Sequence, residues 1–325
     1  MVKIIGIVVG AILGAALLAT AGPIVGEIIA TLPPLFLHKE MNPLSRLGLS
    51  YEDVAFRSSD GLTLRGWFIP ADEPSAPAII YAPGTGQDQT AGLHIVKPLH
   101  DAHYHVLLFS YRGSGNSDGS ELSFTYGETE SLDLDAAVAF LAEVKHVERI
   151  GVIGFSAGAA TAILSAARNP RIATVVAAAS FTTVSEVWDA NIPAFMPRAV
   201  VDWFMRLAEL RKGFRRENIR PVAAVRSIAP RPLLLIHGEA DSRISLSQAR
   251  QLFAAAGSPR ELWIVQGATH HMIYKRALVS LAPNIIMFLD QALRQSQPTY
   301  YVASQKELHK LPGGAPAFSP AAAAW

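Results

Sequence analysis

The feature that most constrains the fold of this chain is a regular alternation of strand-like and helix-like patterns after Pro43. Strands buried on both faces have near-continuous apolar sequences, because neither face meets water. When such runs alternate with helical patterns, they indicate a mostly parallel sheet with helices on both faces. We predict eight strands, with the first two forming an antiparallel hairpin: 54–57, 62–69, 78–81, 106–109, 150–153, 172–176, 233–236 and 262–265.

The intervals between these strands carry the helical patterns. Predicted helices cover roughly 127–145, 157–168, 245–256 and 271–295. The interval 181–228 is much longer than a single crossover helix needs, so we expect either a small helical insert over the site or a long connection that packs on its own apolar residues. The main domain should therefore span 41–297. Residues 298–325 lack periodicity and are rich in Pro, Gly and Ala, which predicts a flexible tail.

The N-terminal segment, residues 1–40, has the character of a membrane or secretory segment. From Ile4 to Gly26 there are 23 consecutive uncharged residues, and about 20 apolar residues suffice to span a bilayer. One interpretation is a retained membrane anchor. The other is a cleaved secretory signal, because Ala19, Thr20 and Ala21 fit a small-x-small cleavage pattern. The expected location is a membrane-anchored, extracytoplasmic catalytic domain, or a secreted protein if cleavage occurs.

Composition excludes several classes of protein. Half of the 325 residues are hydrophobic and 17% are charged, a balance that argues against global disorder. The formal net charge is +1 with no long run of Lys and Arg, so we expect no nucleic-acid partner. With no cysteine in the chain, a disulfide framework, a thiol nucleophile and a cysteine-ligated metal are all excluded.

A serine lies between a predicted strand and a predicted helix. Gly154, Ser156 and Gly158 form a Gly-x-Ser-x-Gly pattern that directly follows the apolar run 150–153 and precedes an Ala-rich stretch. Small residues on either side suit a strained strand-to-helix turn that projects the serine from the carboxyl edge of the sheet. This context makes Ser156 the candidate nucleophile.

A serine hydroxyl becomes reactive when a base removes its proton, and that base is oriented by an acid. Asp241 follows the seventh predicted strand, and His270 follows the eighth. The order Ser156, Asp241, His270 is therefore the predicted catalytic triad. His271 is a rival to His270, and Glu239 is a rival to Asp241.

Acyl transfer also needs donors for the oxyanion of the tetrahedral intermediate. The backbone N–H that follows the nucleophile belongs to Ala157, and the turn after the third strand contains Thr85 between glycines. We predict that these two amides form the oxyanion hole.

No cofactor or metal is implied by the remaining motifs. The histidines His94, His100, His103 and His105 lack the His-Glu-x-x-His spacing of a zinc hydrolase, and residues 113–119 depart from the Gly-x-Gly-x-x-Gly dinucleotide pattern. We therefore expect neither a cofactor nor a metal.

Residues 51–295 resemble the α/β-hydrolase superfamily, especially its membrane-anchored esterases and thioesterases. The motifs that carry the resemblance are Asp-Gly-Leu-Thr-Leu-Arg-Gly-Trp at 60–67, Tyr-Arg-Gly-Ser-Gly-Asn-Ser at 111–117, and Ile-Ala-Pro-Arg-Pro-Leu-Leu-Leu-Ile-His-Gly at 228–238. The chain departs from the family pattern at Pro83, where a histidine is usual, and at Ser110, where an aspartate is usual. The first change bears on the support of the oxyanion loop, and the second on a local hydrogen bond.

The resemblance implies the α/β-hydrolase fold and hydrolysis through an acyl-serine intermediate. The expected substrate is a small-molecule ester or thioester with an apolar acyl group. Two alternatives remain open: a serine peptidase with the same machinery, and a catalytically silent scaffold that binds lipid or a partner protein.

Overall fold

The computed structural model describes residues 41–120, 124–192, 196–294 and 304–308. Within these ranges, nine strands form one sheet in the order β1-β2-β4-β3-β5-β6-β7-β8-β9. The strands are β1 Glu52–Arg57, β2 Thr63–Ile69, β3 Ala78–Ala82, β4 His105–Ser110, β5 Ile150–Phe155, β6 Ile172–Ala178, β7 Leu233–Gly238, β8 Arg260–Val265 and β9 Ser304–Leu308. β2 pairs antiparallel with β1 and β4, and all other pairs are parallel.

Helices cover both faces of the sheet. They are α1 Pro43–Leu47, α2 Leu93–Asp101, α3 Glu130–Glu143, α4 Ala157–Arg168, α5 Val184–Asn191, α6 Arg198–Lys212, α7 Pro221–Ala224, α8 Leu246–Ala255, α9 His270–Met272, α10 Leu278–Ser280 and α11 Ala282–Leu293. The α/β-hydrolase fold predicted from the sequence is confirmed, with its mostly parallel sheet and all eight predicted strands.

Each face of the sheet has its own hydrophobic core, which explains the continuous apolar runs. Ile79 and Ile80 are adjacent in β3 and point to opposite faces, because side chains alternate along a strand. Ile79 packs in a cluster that includes residues of α2 and α11, and Ile80 packs in a cluster with residues of α3 and α4.

Two motifs that carried the family resemblance meet at a buried ion pair. Arg112, which follows β4, binds Asp133 of α3 at 2.6 Å and Asp60 of the β1–β2 hairpin at 2.6 Å. The Asp133 side chain is fully buried and the Arg112 side chain is 7% exposed. The pair therefore fastens the hairpin and α3 to the end of β4.

The structure differs from the sequence prediction at the C-terminal end. Residues 304–308, assigned to the flexible tail, form β9 and pair parallel with β8, and Lys306 contacts Glu261 of β8 at 3.1 Å. The polar sequence of β9 gives little strand signal. The strand conformation of β9 is explained by backbone pairing with β8. Without β9, β8 would be the edge strand, and its N–H and C=O groups on that side would be unpaired.

The helix predicted over 271–295 is also interrupted. A π-helical turn, Ile273–Ala277, separates α9 from α10, and the axis bends by 70° between His270–Ser280 and Ala282–Leu293. Pro283 lies in the first turn of α11, where its missing N–H does no harm, so a new helix begins there.

The predicted membrane or signal segment, residues 1–40, lies outside the described residues. Among the residues that are described, no single helix is long and apolar enough to cross a membrane, and one bent helix pair meets the length and composition criteria only when its two halves are taken together.

Candidate active site

Ser156 lies in a sharp turn between β5 and α4. Its φ of 55° and ψ of −120° are unusual for a residue with a side chain. The surrounding packing forces this conformation: a Cβ on Gly154 would lie 2.7 Å from Ala159 Cα, and a Cβ on Gly158 would overlap the carbonyl oxygens of Ala82 and Pro83. Only glycine fits at these two positions, so the two glycines allow the serine to stand at the carboxyl edge of the sheet.

Asp241 and His270 come from the neighbouring strand ends and meet Ser156 there. Asp241 lies three residues beyond β7, and His270 lies five residues beyond β8. His270 Nδ1 is 2.7 Å from Asp241 Oδ2, and His270 Nε2 is 3.1 Å from Ser156 Oγ. The three side chains form one hydrogen-bonded line in the order expected for proton transfer from the serine.

Asp241 is held as a carboxylate by its neighbours. Its Oδ1 accepts hydrogen bonds from the backbone N–H groups of Arg243 and Ile244, each at 2.9 Å. Burial alone would raise the pKa of this carboxyl, but the hydrogen bond and charge of His270, together with the Ile244 N–H, keep that pKa below its ordinary value. Asp241 can therefore orient His270 and stabilise the imidazolium.

His237 is a buried neighbour of the acid that the sequence analysis did not single out as a site residue. Its Nε2 donates to the Ile244 carbonyl at 2.8 Å and lies 3.7 Å from Asp241 Oδ2. Burial lowers the pKa of His237, so the ring is neutral near pH 7 and supports the Asp241 loop. Its position at the end of β7, directly before Gly238, is the sequence signal that could have identified it.

The two rivals named from the sequence lie outside the hydrogen-bonded line. His271 is exposed, whereas His270 is 7% exposed. Glu239 is also exposed, and its carboxylate accepts the Gly267 N–H at 2.9 Å, which fixes the turn after β8.

The two predicted oxyanion donors lie on segments that touch. Ala157 is the first residue of α4, and Thr85 lies three residues beyond β3. The close approach of Gly158 to the carbonyls of Ala82 and Pro83 brings the start of α4 against the loop that contains Thr85. Both predicted donors are therefore at the same edge of the sheet as Ser156.

Gln87 and Ser110 support this loop where the chain departs from the family pattern. Gln87 Oε1 accepts the Gly84 N–H at 2.8 Å, and Ser114 Oγ donates to the Gln87 carbonyl at 3.1 Å. Ser110 Oγ accepts the Gln89 N–H at 3.1 Å and donates to the Gln89 side chain. Side-chain amides and hydroxyls thus hold the loop that follows Pro83.

Aromatic rings pack against one side of His270, the candidate base. The centroid of the Phe155 ring is 5.0 Å from that of His270 and 5.1 Å from that of Tyr274, on which it stacks. The Tyr274 ring in turn contacts His94 edge-on, with 4.9 Å between the centroids. This packing limits the orientations available to the His270 ring. The described parts of the chain contain no group of three or more His, Cys, Asp or Glu side chains arranged to hold a metal ion.

The helical segment between β6 and β7 covers the start of α4. A third apolar cluster joins residues of this segment to Ala157 and Ala160 of α4; its insert members include Val184, Phe214 and Ile219. The sequence left open whether residues 181–228 form a helical insert over the site or a long connection that packs on its own apolar residues; the described part of this segment packs against α4, the helix that follows Ser156. We call residues 181–228 the insert.

Comparison with known proteins relates the chain to one family. A model of the prolyl oligopeptidase family matches residues 91–296. YfhR of Escherichia coli (strain K12), an uncharacterized protein, is 28% identical over 232 residues, which cover 68% of this chain and 74% of YfhR. YqkD of Bacillus subtilis (strain 168), also uncharacterized, is 27% identical over 243 residues, which cover 72% of this chain and 77% of YqkD.

Solved structures share the fold. An esterase of Pyrococcus furiosus matches with a TM-score of 0.65 at 24% identity, covering 80% of this chain and 99% of the esterase. The α/β-hydrolase GrgF of Penicillium sp. sh18 matches with a TM-score of 0.61 at 24% identity, covering 76% of this chain and all of GrgF (100%). At this level of identity the likeness shows the fold.

Proposed function

Because this chain belongs to the prolyl oligopeptidase family and is a serine hydrolase of the α/β-hydrolase superfamily, we propose that it cleaves carboxylic esters or thioesters through an acyl-serine intermediate. The observation that carries the proposal is the hydrogen-bonded line from Ser156 through His270 to Asp241, with distances of 3.1 and 2.7 Å. The separation of 3.1 Å puts the serine proton within reach of the histidine ring.

In the first half of the reaction, Ser156 Oγ attacks the carbonyl carbon of the substrate while His270 Nε2 takes the hydroxyl proton. The resulting imidazolium is stabilised by Asp241, and the oxyanion accepts hydrogen bonds from the amides of Ala157 and Thr85. The tetrahedral intermediate collapses, and the alcohol or thiol leaves with the proton from His270.

The second half releases the acid. Water, deprotonated by His270, attacks the acyl carbon bound to Ser156 Oγ, and the tetrahedral intermediate collapses with the proton returning from His270 to the serine oxygen. The reaction needs no group beyond this chain and water, in keeping with the absence of cofactor motifs in the sequence.

The proposal of an apolar acyl group is supported by the apolar surroundings of α4, the helix that follows Ser156. The insert packs Phe214 and Val184 in the buried cluster that contains Ala157, so the start of α4 has apolar surroundings. The peptidase alternative uses the same attack and differs in the leaving group, so a direct comparison of substrates separates the two.

The test has two stages. The wild-type protein should react with a fluorophosphonate probe, whereas Ser156→Ala should not react. Intact-mass analysis should find one adduct, and tandem mass spectrometry of the digested protein should place it on residue 156. A panel of p-nitrophenyl esters, acyl thioesters and peptide p-nitroanilides then assigns the class. A folded wild-type protein that neither reacts with the probe nor cleaves any member of the panel would support the scaffold alternative.

We also propose that residues 1–40 anchor the catalytic domain at the outer side of a membrane, with secretion after cleavage as the alternative. The proposal rests on the uncharged stretch from Ile4 to Gly26. Full-length protein should remain in the membrane fraction after alkaline carbonate extraction, and a protein lacking 1–40 should not. Recovery of a mature chain that starts after Ala21 would instead identify a signal peptide.

A further inference from the structure

A rare helical turn follows the candidate base. Residues Ile273–Ala277 form a π-helical turn, in which the N–H of Leu278 donates to the carbonyl of Ile273, five residues earlier. Such turns are uncommon and lie frequently at functional sites. The side chains that this turn carries next to His270 are therefore candidates for a role in the reaction.

Tyr274, in this turn, packs on the same ring as His270. Its ring stacks on Phe155, with 5.1 Å between the centroids and 28° between the ring planes. The Phe155 ring also contacts His270, with 5.0 Å between the centroids. Phe155 directly precedes Ser156 in the chain, so one ring lies between the candidate base, Tyr274 and the backbone of the candidate nucleophile.

The hydroxyl of Tyr274 reaches the loop that contains the second predicted oxyanion donor. It donates to the carbonyl oxygen of Ala91 at 3.1 Å. Ala91 lies in a short 3₁₀ turn, Gln89–Gly92, at the end of residues 83–92, which we call the Thr85 loop. Burial and the negative charge of Asp88 raise the pKa of Tyr274, so its hydroxyl is protonated and can donate at neutral pH.

The Phe155 ring contacts the Thr85 loop at a second place. A Cβ on Gly84 would lie 3.2 Å from Phe155 Cδ1 and 3.3 Å from the Phe155 carbonyl oxygen, so a glycine at this position lets the loop pack closely on the ring. Gly84 directly precedes Thr85. The loop is therefore contacted near both of its ends, by Phe155 at Gly84 and by the Tyr274 hydroxyl at Ala91.

The bond from Tyr274 is not needed to satisfy the Ala91 carbonyl. The Nδ1–H of His94 donates to the same oxygen at 2.6 Å, and the His94 ring packs edge-on against Tyr274. A buried carbonyl that lacks any donor is costly, but this one already has a donor. Satisfying this carbonyl therefore does not explain why residue 274 carries a hydroxyl group.

We propose that Tyr274 is a positioning residue for the reaction, because it holds the His270 ring and the Thr85 loop in one fixed arrangement around Ser156. This inference rests on the proposed function, since it concerns the transition state of acyl transfer. In that state His270 accepts the serine proton while the Thr85 N–H donates to the developing oxyanion. Tyr274 acts on both groups indirectly, through its stacked ring and its hydroxyl.

The experiment measures kcat and KM for a p-nitrophenyl ester with the full-length protein and three variants. Tyr274→Phe removes the hydroxyl and keeps the stacked ring, whereas Tyr274→Leu removes both contacts. Tyr104→Phe is the matched control. It removes another hydroxyl, which donates to Asp290 at 2.7 Å, and Tyr104 directly precedes β4, at the opposite edge of the sheet from Ser156.

Tyr274→Phe should lower kcat by about tenfold and Tyr274→Leu by about 100-fold, since a displacement of about 1 Å at the reacting groups can cost that much. KM should stay within about threefold of wild type, because the effect is on the transition state rather than on the bound substrate. Tyr104→Phe removes no interaction with the transition state and should keep kcat within about twofold of wild type.

A trifluoromethyl ketone with the acyl group of the ester gives a readout that a merely structural role would not change. Ser156 Oγ bonds to the ketone carbon, His270 takes the serine proton, and the ketone oxygen becomes an oxyanion that the Thr85 loop must bind. The inhibition constant should rise in both Tyr274 variants by the factor by which kcat/KM falls, as expected for an analogue of the transition state. It should be unchanged in Tyr104→Phe.

Three results would each overturn the proposal. The first is a kcat of Tyr274→Phe within twofold of wild type. The second is an equal loss of kcat in Tyr104→Phe, because any missing hydroxyl would then have the same effect. The third is a fall in kcat/KM with no change in the inhibition constant of the ketone.

The comparison of Tyr274→Phe with Tyr104→Phe decides the question even if Tyr274→Leu does not fold. Failure of the proposed function has a different signature, because the wild-type protein would then cleave no ester and would not react with the fluorophosphonate.

Discussion

Replacing Asp241 by asparagine should disable the site through the tautomer of His270. In the wild-type protein, Asp241 Oδ1 accepts two backbone N–H groups while Oδ2 accepts the His270 Nδ1 proton. An asparagine oxygen must take the place of Oδ1, because an NH₂ group there would face two donors. Its NH₂ group then faces His270 Nδ1, which can accept only if the ring proton moves to Nε2. A protonated Nε2 cannot accept the proton of Ser156.

The expected loss is about 10³- to 10⁴-fold in kcat, as for other triads with the wrong histidine tautomer. At about 1.36 kcal/mol per factor of ten, this corresponds to about 4 to 5 kcal/mol of transition-state stabilisation. The assay is steady-state hydrolysis of a p-nitrophenyl ester at pH 7, with KM measured as well, because the contacts to bound substrate should be unchanged.

Glu239→Gln is the matched control. Glu239 is exposed, and a glutamine oxygen can still accept the Gly267 N–H, so kcat should stay within about twofold of wild type, in the usual range for surface changes. The reasoning would be refuted if Asp241→Asn kept kcat within tenfold of wild type while its thermal unfolding and near-UV circular dichroism were unchanged. A residue other than Asp241 would then have to orient His270.

Three further predictions concern single residues. His270→Ala should lower kcat by about 10³-fold or more. His271→Ala, at an exposed position, should leave kcat within about twofold of wild type, and comparable losses in the two variants would argue against His270 as the base. Gly158→Ala should destabilise the protein by about 2 to 4 kcal/mol in urea unfolding, because the added methyl overlaps the Ala82 carbonyl, and a neutral effect would contradict the tight packing of the serine turn. Burial raises the pKa of Glu130 despite its hydrogen bonds, so the folded protein favours the protonated carboxyl. The contribution of Glu130 to stability is therefore present below the ordinary pKa of a glutamate and is lost as pH rises through the raised pKa. Glu130→Gln should therefore destabilise the protein more at pH 4 than at pH 8, and the opposite trend in urea unfolding would show that the carboxylate form is favoured.

The parts of the site that could be predicted from the sequence are those fixed by local chemistry. An apolar run followed by Gly-x-Ser-x-Gly predicts a strand, a turn and a helix, because only small residues fit where β5 meets α4. Asp241 and His270 could be named as candidates because each follows a strand-like run, and parallel strands bring their carboxyl ends to one edge.

The parts that could not be predicted depend on contacts between distant segments. β9 has no apolar pattern, and its pairing with β8 depends on the open edge of a strand formed elsewhere. Tyr126 has a φ of 58°, and the residues on both sides of it are held by Glu130, whose carboxyl accepts the N–H groups of Thr125 and Gly127. His237 lies in one of the motifs that carry the family resemblance, but its hydrogen bond depends on the Asp241 loop, which supplies the Ile244 carbonyl.

The separation of the proposed catalytic residues along the chain has a consequence for how the protein would acquire activity. The hydrogen bond between Ser156 and His270 joins residues 114 positions apart, and contacts of such long range form late, since the loop between them must close first. In the proposed mechanism, a nascent chain that lacks His270 has no base for Ser156 and should be inactive. During refolding, the helical signal in far-UV circular dichroism should therefore return before hydrolysis does. The return of hydrolysis would then indicate that the last strands of the sheet have assembled.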